Sequence, residues 1–180
     1  MVYIIIGAGF EEIEALTVCD ILRRGGVDVS LAGVGDRKIC GGHKIEIFTD
    51  IEVTDIKTEK AEMLIIPGGM GGVESIENSA QCSEIIKKAA NECVRIAAIC
   101  AGPRVLAKLN LLNGKKITCY PGMENEMTGA FADSSKKTVT DGSLITGRGA
   151  GAAADFAFSL LTALKGKIIM EKVRSGMYYE

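Results

Sequence analysis

The amino-acid sequence predicts an α/β sandwich built on a mostly parallel sheet. Three short apolar runs without polar alternation, Val2–Ile6, Met63–Ile66 and Val94–Ile99, are typical of strands that are buried on both faces. Segments whose apolar residues have helical spacing separate these runs, and such an alternation packs as a sheet with helices on its faces. The chain has 180 residues, 47% of them hydrophobic, and we expect a single domain over residues 1–180.

The N-terminal half of the chain begins with a strand, a glycine turn and a helix. The strand Val2–Ile6 runs into Gly7-Ala8-Gly9 and then into a helix from about Glu11 to Arg24. A second strand is predicted over Val27–Gly33, and a polar hairpin follows it near Cys40–His43. This half therefore predicts one βα unit and a second strand that carries a hairpin.

From Met63 onward the chain repeats the pattern around two further turns. The strand Met63–Ile66 ends in Pro67-Gly68-Gly69-Met70-Gly71-Gly72, which is typical of a tight turn. Ser79 suits the N-cap of a helix that reaches about Asn91, with Cys82 on its buried face. The later predicted elements are a strand at Val94–Ile99, a short helix at Pro103–Leu109, a brief strand at Ile117–Cys119, a loop at Tyr120–Phe131, a hairpin of Thr138–Thr140 and Ser143–Ile145 turning at Asp141-Gly142, and a last long helix over about Ala152–Leu164 that Gly166 ends.

Composition and charge exclude several classes of function. The net charge is −2 and only 5% of residues are aromatic, which disfavours a nucleic-acid surface and an electrostatic contact with anionic membranes. Met1 leads directly into the first strand without a basic leader, and no apolar run is long enough to cross a bilayer. We therefore expect a cytoplasmic protein that binds neither nucleic acid nor membrane.

The cysteine and histidine content disfavours a metal or nucleotide cofactor. The six cysteines form no C-x-x-C pair and His43 is the single histidine, so we expect no bound metal. The first glycine turn begins like a dinucleotide-binding fingerprint, but Glu12 stands at its third glycine and would repel a pyrophosphate. We expect no cofactor. His43, beside Lys44 in the hairpin, is interpreted as a solvated loop residue.

The residues around Cys100 have the layout of a nucleophile elbow. Ala98-x-Cys100-x-Gly102 stands where G-x-S-x-G is found, and Pro103 suits the first turn of a helix. Such a turn lifts the reactive atom above the sheet and directs backbone N–H groups toward it, which favours a thiolate. A buried structural cysteine at the end of a core strand explains the local pattern equally well.

The topology of a parallel sheet favours the nucleophile over the structural cysteine. The carboxyl ends of the strands meet at one edge, so Cys100 is expected to lie beside the two glycine turns. The N–H groups of Ala101 and Gly69 are then candidates for holding a thiolate or an oxyanion.

Three glutamates, Glu11, Glu12 and Glu14, begin the first helix, where they complement its dipole. One of them facing a thiolate would keep its proton, because burial and like charge raise its pKa. Such an acid can hold the thiolate and move a proton without a histidine.

Ordered motifs carry a family resemblance that spans essentially the whole chain. They are Gly9-Phe10-Glu11-Glu12-Ile13-Glu14, Pro67-Gly68-Gly69, Ala97-Ala98-Ile99-Cys100-Ala101-Gly102-Pro103 and Arg148-Gly149-x-Gly151. With them the chain resembles the ThiJ/PfpI superfamily, and within it the branch of the parkinsonism-associated protein (DJ-one) and its bacterial relatives. The resemblance implies a flavodoxin-like three-layer sandwich and a homodimer formed through the region of the first helix.

The resemblance also implies a role for each site residue. Cys100 corresponds to a nucleophilic, oxidisable cysteine and Glu14 to its protonated partner, while Gly69 and Ala101 correspond to amides that bind an anion. The activities attributed to this branch are cofactor-free glyoxalase, deglycation of methylglyoxal adducts, redox sensing through a cysteine sulfinate, and chaperone action.

Two positions depart from the family pattern. The protease-like branch has a histidine directly after the elbow cysteine, and Ala101 stands there, which argues against peptidase activity. Close relatives have a histidine before the proline of a later loop, and this chain has Tyr120-Pro121. A tyrosine with a pKa of about 10 is a poor base at neutral pH, so Tyr120 is retained as a substrate contact.

Two functional hypotheses follow. The first is a cofactor-free stress-response enzyme of glyoxalase or deglycase type, in which a Cys100 thiolate assisted by Glu14 acts on α-oxoaldehydes. The alternative is a non-enzymatic redox sensor or chaperone whose Cys100 reacts with peroxide to form a sulfinate. The missing histidine favours the alternative slightly, because sulfinate formation needs no general base.

Overall fold

A computed structural model of the chain describes residues 1–179. The strands are β1 (Val2–Ile6), β2 (Val29–Gly33), β3 (Lys38–Cys40), β4 (Glu46–Phe48), β5 (Ile51–Glu52), β6 (Met63–Ile66), β7 (Arg95–Ile99), β8 (Lys116–Ile117), β9 (Phe131–Ala132), β10 (Thr138–Asp141) and β11 (Leu144–Gly147). The α-helices are α1 (Glu12–Arg24), α2 (Met70–Glu77), α3 (Ala80–Asn91), α4 (Pro103–Lys108), α5 (Ala153–Lys165) and α6 (Lys167–Gly176).

Seven strands form one sheet in the order β10-β11-β7-β6-β1-β2-β5. All neighbouring pairs are parallel except the edge pair of β10 and β11, which is antiparallel. The predicted fold class, a mostly parallel sheet between helical layers as in flavodoxin, is therefore confirmed. The central strands lack polar alternation because both of their faces are covered.

Each face of the sheet packs against its own helical layer. Side chains of β1 alternate between the two cores: Val2, Ile4 and Ile6 lie with the buried residues of α1 and α5. Tyr3 and Ile5 lie on the opposite face with the buried residues of α2, α3 and α4. This alternation is the period-2 geometry of a strand, and it builds a three-layer molecule from one apolar run.

Several boundaries differ from the sequence prediction, and two helices were not predicted. The glycine-rich run after β6 continues as α2, because burial of Val73 and Ile76 against the sheet outweighs the low helix propensity of Gly71 and Gly72. The helix at Ala153–Lys165 is not the last one: Gly166 ends it as predicted, but α6 follows.

The smaller differences are shifts of one or two residues. The second strand begins at Val29 rather than Val27, and the late brief strand is Lys116–Ile117 rather than Ile117–Cys119. In the predicted hairpin Asp141 pairs with Leu144, so the two-residue turn is Gly142-Ser143. The predicted position of this turn was therefore one residue too early.

Within residues 1–179, the helices are all too short or too polar to traverse a lipid bilayer.

Candidate active site

The candidate site lies where three adjacent strands end. In the sheet β7, β6 and β1 are neighbours, and all three run in parallel. Ile99 is therefore followed by Cys100 at the same edge at which Ile66 is followed by the Pro67-Gly68-Gly69 turn and β1 leads toward α1. Parallel strands bring their carboxyl ends together in this way, and the expected convergence of the three segments is observed.

Cys100 occupies the sharp turn of a nucleophile elbow. Its φ is 63°, in the left-handed region that non-glycine residues seldom adopt. Two backbone hydrogen bonds hold this conformation: the Cys100 N–H donates to Gly147 O at 2.9 Å, and the Tyr120 N–H donates to Cys100 O at 2.9 Å. The turn is so tight that a Cβ atom at Gly102 would lie only 2.5 Å from Ile66 O. The side chain of Cys100 is consequently half-buried and reaches the cleft described below.

Glu14, in the first turn of α1, is fully buried beside this cysteine. Its Oε2 accepts a 2.7 Å hydrogen bond from the Gly68 N–H. Its Oε1 is buried and has no hydrogen-bond partner among the residues that the structure describes. A carboxylate oxygen isolated in this way is costly, whereas a protonated one can donate its hydrogen to a neighbouring acceptor.

Gly68 packs closely against both side chains. A Cβ atom built on it would lie 2.6 Å from the Cβ of Cys100, 2.7 Å from Oε2 of Glu14 and 3.0 Å from Sγ of Cys100. These distances leave no room for any side chain at residue 68. The absence of a side chain at Gly68 therefore lets the thiol and the carboxyl group come into hydrogen-bonding contact.

Burial governs the protonation of the Glu14–Cys100 pair. Burial raises the pKa of Glu14 to about 7, although the hydrogen bond from the Gly68 N–H acts in the opposite direction and lowers it. Burial also raises the pKa of the Cys100 thiol, the charge of ionised Glu14 raises it further, and the N–H groups of Ala101 and Gly69 lower it. The expectation that the elbow alone gives a lowered thiol pKa is wrong, because burial and the carboxylate outweigh the N–H groups. The pair loses its first proton as the pH rises through about 7, and a thiolate then requires the remaining proton to be on Glu14.

The backbone amides of Gly69 and Ala101 both point toward the sulfur of Cys100. Gly69 has a φ of 82°, and a Cβ atom there would lie 2.5 Å from the Glu11 nitrogen, so only glycine fits this approach. The helix that follows the elbow, α4, is six residues long, and the turn's own N–H groups supply the positive potential at the sulfur. The structure thus brings Cys100, Glu14, Gly69 and Ala101 together.

A cleft of about 420 Å³ opens above Cys100. Tyr120 is half exposed at its wall, and its ring lies beside the Gly149 backbone, which also approaches the sulfur. The sequence prediction of Tyr120 near the site is thus matched by its position. The residues that line the cleft are Glu11, Gly69, Met70, Cys100, Ala101, Tyr120, Pro121, Gly122, Met123 and Glu126.

Three lining residues, Met70, Met123 and Glu126, were not predicted from the sequence. Met70 begins α2, which was interpreted as part of a turn, and the other two lie in or beside a 3₁₀ helix at Glu124–Glu126 within a predicted loop. A stretch without hydrophobic periodicity gives no signal of which side chains face inward.

His43 is not simply a solvated loop residue. Its ring remains 68% exposed, but Nδ1 lies 2.8 Å from Oε2 of Glu12, and its backbone N–H donates to Oε1 of the same carboxylate. The hairpin of β3 and β4 therefore packs on the start of α1 instead of lying apart from it. Hydrogen bonding to Glu12 raises the pKa of His43, and the charge of Glu11 adds to the effect. Burial opposes ionisation of Glu12, yet the His43 contacts hold its pKa below the ordinary value.

The same three side chains are the closest set of metal-ligating groups in the described part of the chain. One ligand atom each from Glu11, Glu12 and His43 lie within 4.8 Å of one another. These atoms already form an ion-paired hydrogen-bond cluster, which accounts for their proximity without a metal.

Comparison with known proteins places this architecture among characterised relatives. Residues 1–163 match the profile of the DJ-1/PfpI family. Protein dj-1beta of Drosophila melanogaster is 34% identical over 176 residues, covering 97% of this chain and 94% of that protein. The crystal structure of Drosophila melanogaster DJ-1beta, at 32% identity, superposes with a TM-score of 0.93 over 99% of this chain and 97% of that one.

Two further relatives differ in what their names state. A Caenorhabditis elegans protein named glutathione-independent glyoxalase DJR-1.2 is 31% identical over 160 residues, which cover 87% of this chain and 83% of that protein. The structure of oxidized DJ-1 from Toxoplasma gondii superposes with a TM-score of 0.92 at 28% identity, over 99% of this chain and 97% of that one.

Proposed function

Because the chain belongs to the DJ-1/PfpI family, we propose that it is a cofactor-free enzyme of glyoxalase or deglycase type, acting on α-oxoaldehydes. The observation that carries the proposal is the unpartnered Oε1 of buried Glu14, placed against a cysteine in a strained elbow. The pair can pass a single proton between carboxyl and thiol, which is what addition to an aldehyde requires. The relative named as a glutathione-independent glyoxalase supports the proposed type of activity.

Methylglyoxal serves to write the reaction. The Cys100 thiolate adds to the aldehyde carbon, and the proton on Glu14 passes to the new alkoxide, giving a neutral hemithioacetal. The Glu14 carboxylate then removes the proton from this carbon, which gives an enediolate, and returns it to the adjacent carbon. The proton of the hydroxyl passes to the oxygen of that adjacent carbon, so the hydroxyl becomes the thioester carbonyl and the former ketone becomes the hydroxyl. Water hydrolyses the resulting thioester, which releases lactate and restores the thiol and the carboxyl group. No oxidant, reductant or metal enters the balance.

The surrounding groups have distinct tasks in this scheme. The N–H groups of Gly69 and Ala101 hold the developing oxyanion or the thiolate, and they are worth most in a half-buried site. Tyr120 donates a hydrogen bond to the second carbonyl and does not act as the base. Because Glu14 alone moves the proton, no histidine is needed.

Conversion of methylglyoxal to lactate tests the proposal. Wild-type protein should produce lactate, and Cys100→Ser and Glu14→Gln should each lose at least about 100-fold in kcat/KM. The control is Gln81→Glu, a change on α3 outside the cleft, which should keep full activity. A wild-type rate no faster than that of Cys100→Ser overturns the enzymatic proposal.

A second candidate function is a redox sensor in which Cys100 is oxidised to a sulfinate. The half-buried sulfur, the two amides and a protonated Glu14 form a site that suits a sulfinate anion as well as an alkoxide. Intact mass and peptide mapping after mild peroxide treatment test it. The candidate requires two added oxygen atoms at Cys100 before any modification of exposed Cys40 or Cys93; the reverse order rejects it.

We also propose that the protein is a homodimer formed through the first helix. Ile13 on α1 and Ile45 beside the hairpin are large apolar side chains, each 51% exposed, and they line one shallow cavity. Light scattering should give twice the chain mass for the wild type. Ile13→Glu should give a folded monomer, and a wild-type monomer would disprove the assembly.

A further inference from the structure

The mouth of the cleft above Cys100 carries negative charge from two sides. Glu11 approaches from the start of α1, and Glu126 approaches from the 3₁₀ helix in the loop opposite. Their side chains are 24% and 48% exposed. Lysine, arginine and histidine are all absent from the cleft lining in the part of the chain that the structure describes.

Glu126 pairs with an ion cluster centred on the nearly buried Glu77. Arg104 of α4 donates two hydrogen bonds of 2.8 Å to Glu77, whose side chain is only 4% exposed at the end of α2. A third nitrogen of Arg104 lies 3.5 Å from Oε2 of Glu126. Lys108 also pairs with Glu77. Two cations and two carboxylates are thus joined, and one of these carboxylates, Glu126, also lines the cleft, whereas Arg104 does not.

The two ends of the cleft therefore have opposite electrostatic preferences. At the sulfur, the N–H groups of Gly69 and Ala101 stabilise negative charge, as their effect on the pKa of Cys100 indicates. At the mouth, the remote end of a bound molecule meets carboxylates. His43 lies 3.7 Å from Glu11 and offsets part of its charge, and Arg104 offsets part of that of Glu126, but neither cation lines the cleft itself. The nearest charges decide the preference, because Coulomb energy falls with distance and screening.

We propose that Glu126, positioned by Arg104, is a specificity-determining residue that restricts Cys100 to carbonyl compounds whose remote end is uncharged or cationic. α-Oxoaldehydes that carry a carboxylate or a phosphate at that end are rejected. A carbonyl adduct near an ammonium or guanidinium group is accepted. The inference rests on the proposed function for the identity of the reacting thiol, and it adds the charge class of the substrate.

Alkylation of Cys100 by two reagents of equal size tests the charge preference without any turnover. Iodoacetamide is neutral and iodoacetate is anionic. Peptide mapping measures the rate at which each reagent modifies Cys100, and the rate with iodoacetamide is divided by the rate with iodoacetate. This ratio is then normalised by the same ratio for the small thiol 2-mercaptoethanol. We expect a normalised ratio of about 5 or more in the wild type at low salt, a fall of about threefold in Glu126→Gln and a further fall in Glu126→Lys. Glu171→Gln, an exposed change on α6 with the same effect on net charge, should leave the ratio unchanged. High salt should reduce the wild-type ratio toward 1.

The outcomes separate this inference from the proposed function. A wild-type ratio near 1, or an equal ratio in the wild type and Glu126→Lys, overturns the charge preference even if lactate is formed. A high wild-type ratio that falls in the Glu126 variants supports the charge preference even if no lactate is formed. In that case only the enzymatic proposal is rejected. If Cys100 reacts with neither reagent, the accessible thiol that both proposals need is absent, and both are rejected.

Discussion

Glu14 and Cys100 are in hydrogen-bonding contact beside Gly68, whose α carbon leaves no room for a side chain next to them. The carboxyl group reaches this place from the first turn of α1, and the thiol reaches it from the end of β7. Apart from each other, these groups are influenced by backbone N–H groups and, for Glu14, by the charge of Glu11. The protonation of the pair is therefore decided by burial and by their mutual charge, and this makes the pair sensitive to small changes of structure and of pH.

Glu14 should make the protein less stable as the pH rises. Its pKa is raised from 4.5 to about 7 in the folded chain. A folded state that binds the proton more tightly is favoured at low pH, and this advantage is lost as the pH rises from about 4.5 through about 7. Urea unfolding of wild type and Glu14→Gln at about pH 4.5 and about pH 8 measures the effect. The variant should gain about 2–3 kcal/mol relative to the wild type between these pH values. A pH-independent difference would contradict the burial argument.

Gly68→Ala should separate the thiol from its proton partner. A Cβ atom at this position overlaps both Cys100 and Glu14, so one of them must move. We expect the rate of Cys100 alkylation to change at least about tenfold and the stability to fall by about 2 kcal/mol, the usual cost of overpacking. Gly176→Ala on α6 is the matched control, since a Cβ atom there meets nothing within 4 Å. Equal behaviour of the two variants would show that residue 68 tolerates a side chain.

The single histidine permits a direct measurement of the hairpin contact. Hydrogen bonding to Glu12 and the charge of Glu11 hold the pKa of His43 above 6.5. The ion pair therefore favours the folded state below about pH 6.5 and is lost as the pH rises through the folded value. An NMR titration of the one imidazole signal should give a lower pKa in Glu12→Gln and a smaller decrease in Glu11→Gln, because Glu11 lies farther from the ring. An unchanged pKa in Glu12→Gln would exclude the contact in solution.

Loss of Arg104 should cost more stability than loss of an exposed ion pair. Arg104 is 15% exposed and is the bidentate partner of a nearly fully buried Glu77. Arg104→Gln leaves that carboxylate with Lys108 alone, and we expect about 2 kcal/mol of destabilisation in urea. Lys38→Gln removes a pair whose two side chains are about half exposed, and it should change stability by no more than about 0.5 kcal/mol. Similar values for the two variants would show that burial of Glu77 does not strengthen its pairing.

The sheet and the position of the site were predictable because they rest on strong local signals. A short, unbroken apolar run rich in β-branched residues, such as Val2–Ile6, is typical of a strand that is buried on both faces. Parallel strands bring their carboxyl ends to one edge of the sheet. A cysteine directly after such a run is consequently placed at that edge. Glu14 could be singled out only through the family motif, since the three glutamates of the first turn look alike in the sequence.

The remaining features depend on tertiary contacts that leave no local trace. The helix α2 forms in a glycine-rich run because its apolar residues pack against the sheet. The contact of His43 with Glu12 joins residues 31 positions apart, and the Arg104–Glu77 pair joins residues 27 positions apart. The raised pKa of the Cys100 thiol follows from how deeply its surroundings bury it, and composition and spacing contain no measure of that depth.

The hydrogen bond from the Cys100 N–H to Gly147 O determines when, during synthesis of the chain, the turn at Cys100 can form. The strained turn at the cysteine is supported by β11, which leaves the ribosome long after the cysteine itself, and β7 pairs with both β6 and β11. Until that late strand is in place, a nascent chain has an ordinary, relaxed thiol. Pulse labelling of stalled chains should therefore find Cys100 with the reactivity of a free peptide cysteine in lengths that stop before residue 144, and with its native reactivity only once the parallel sheet has closed.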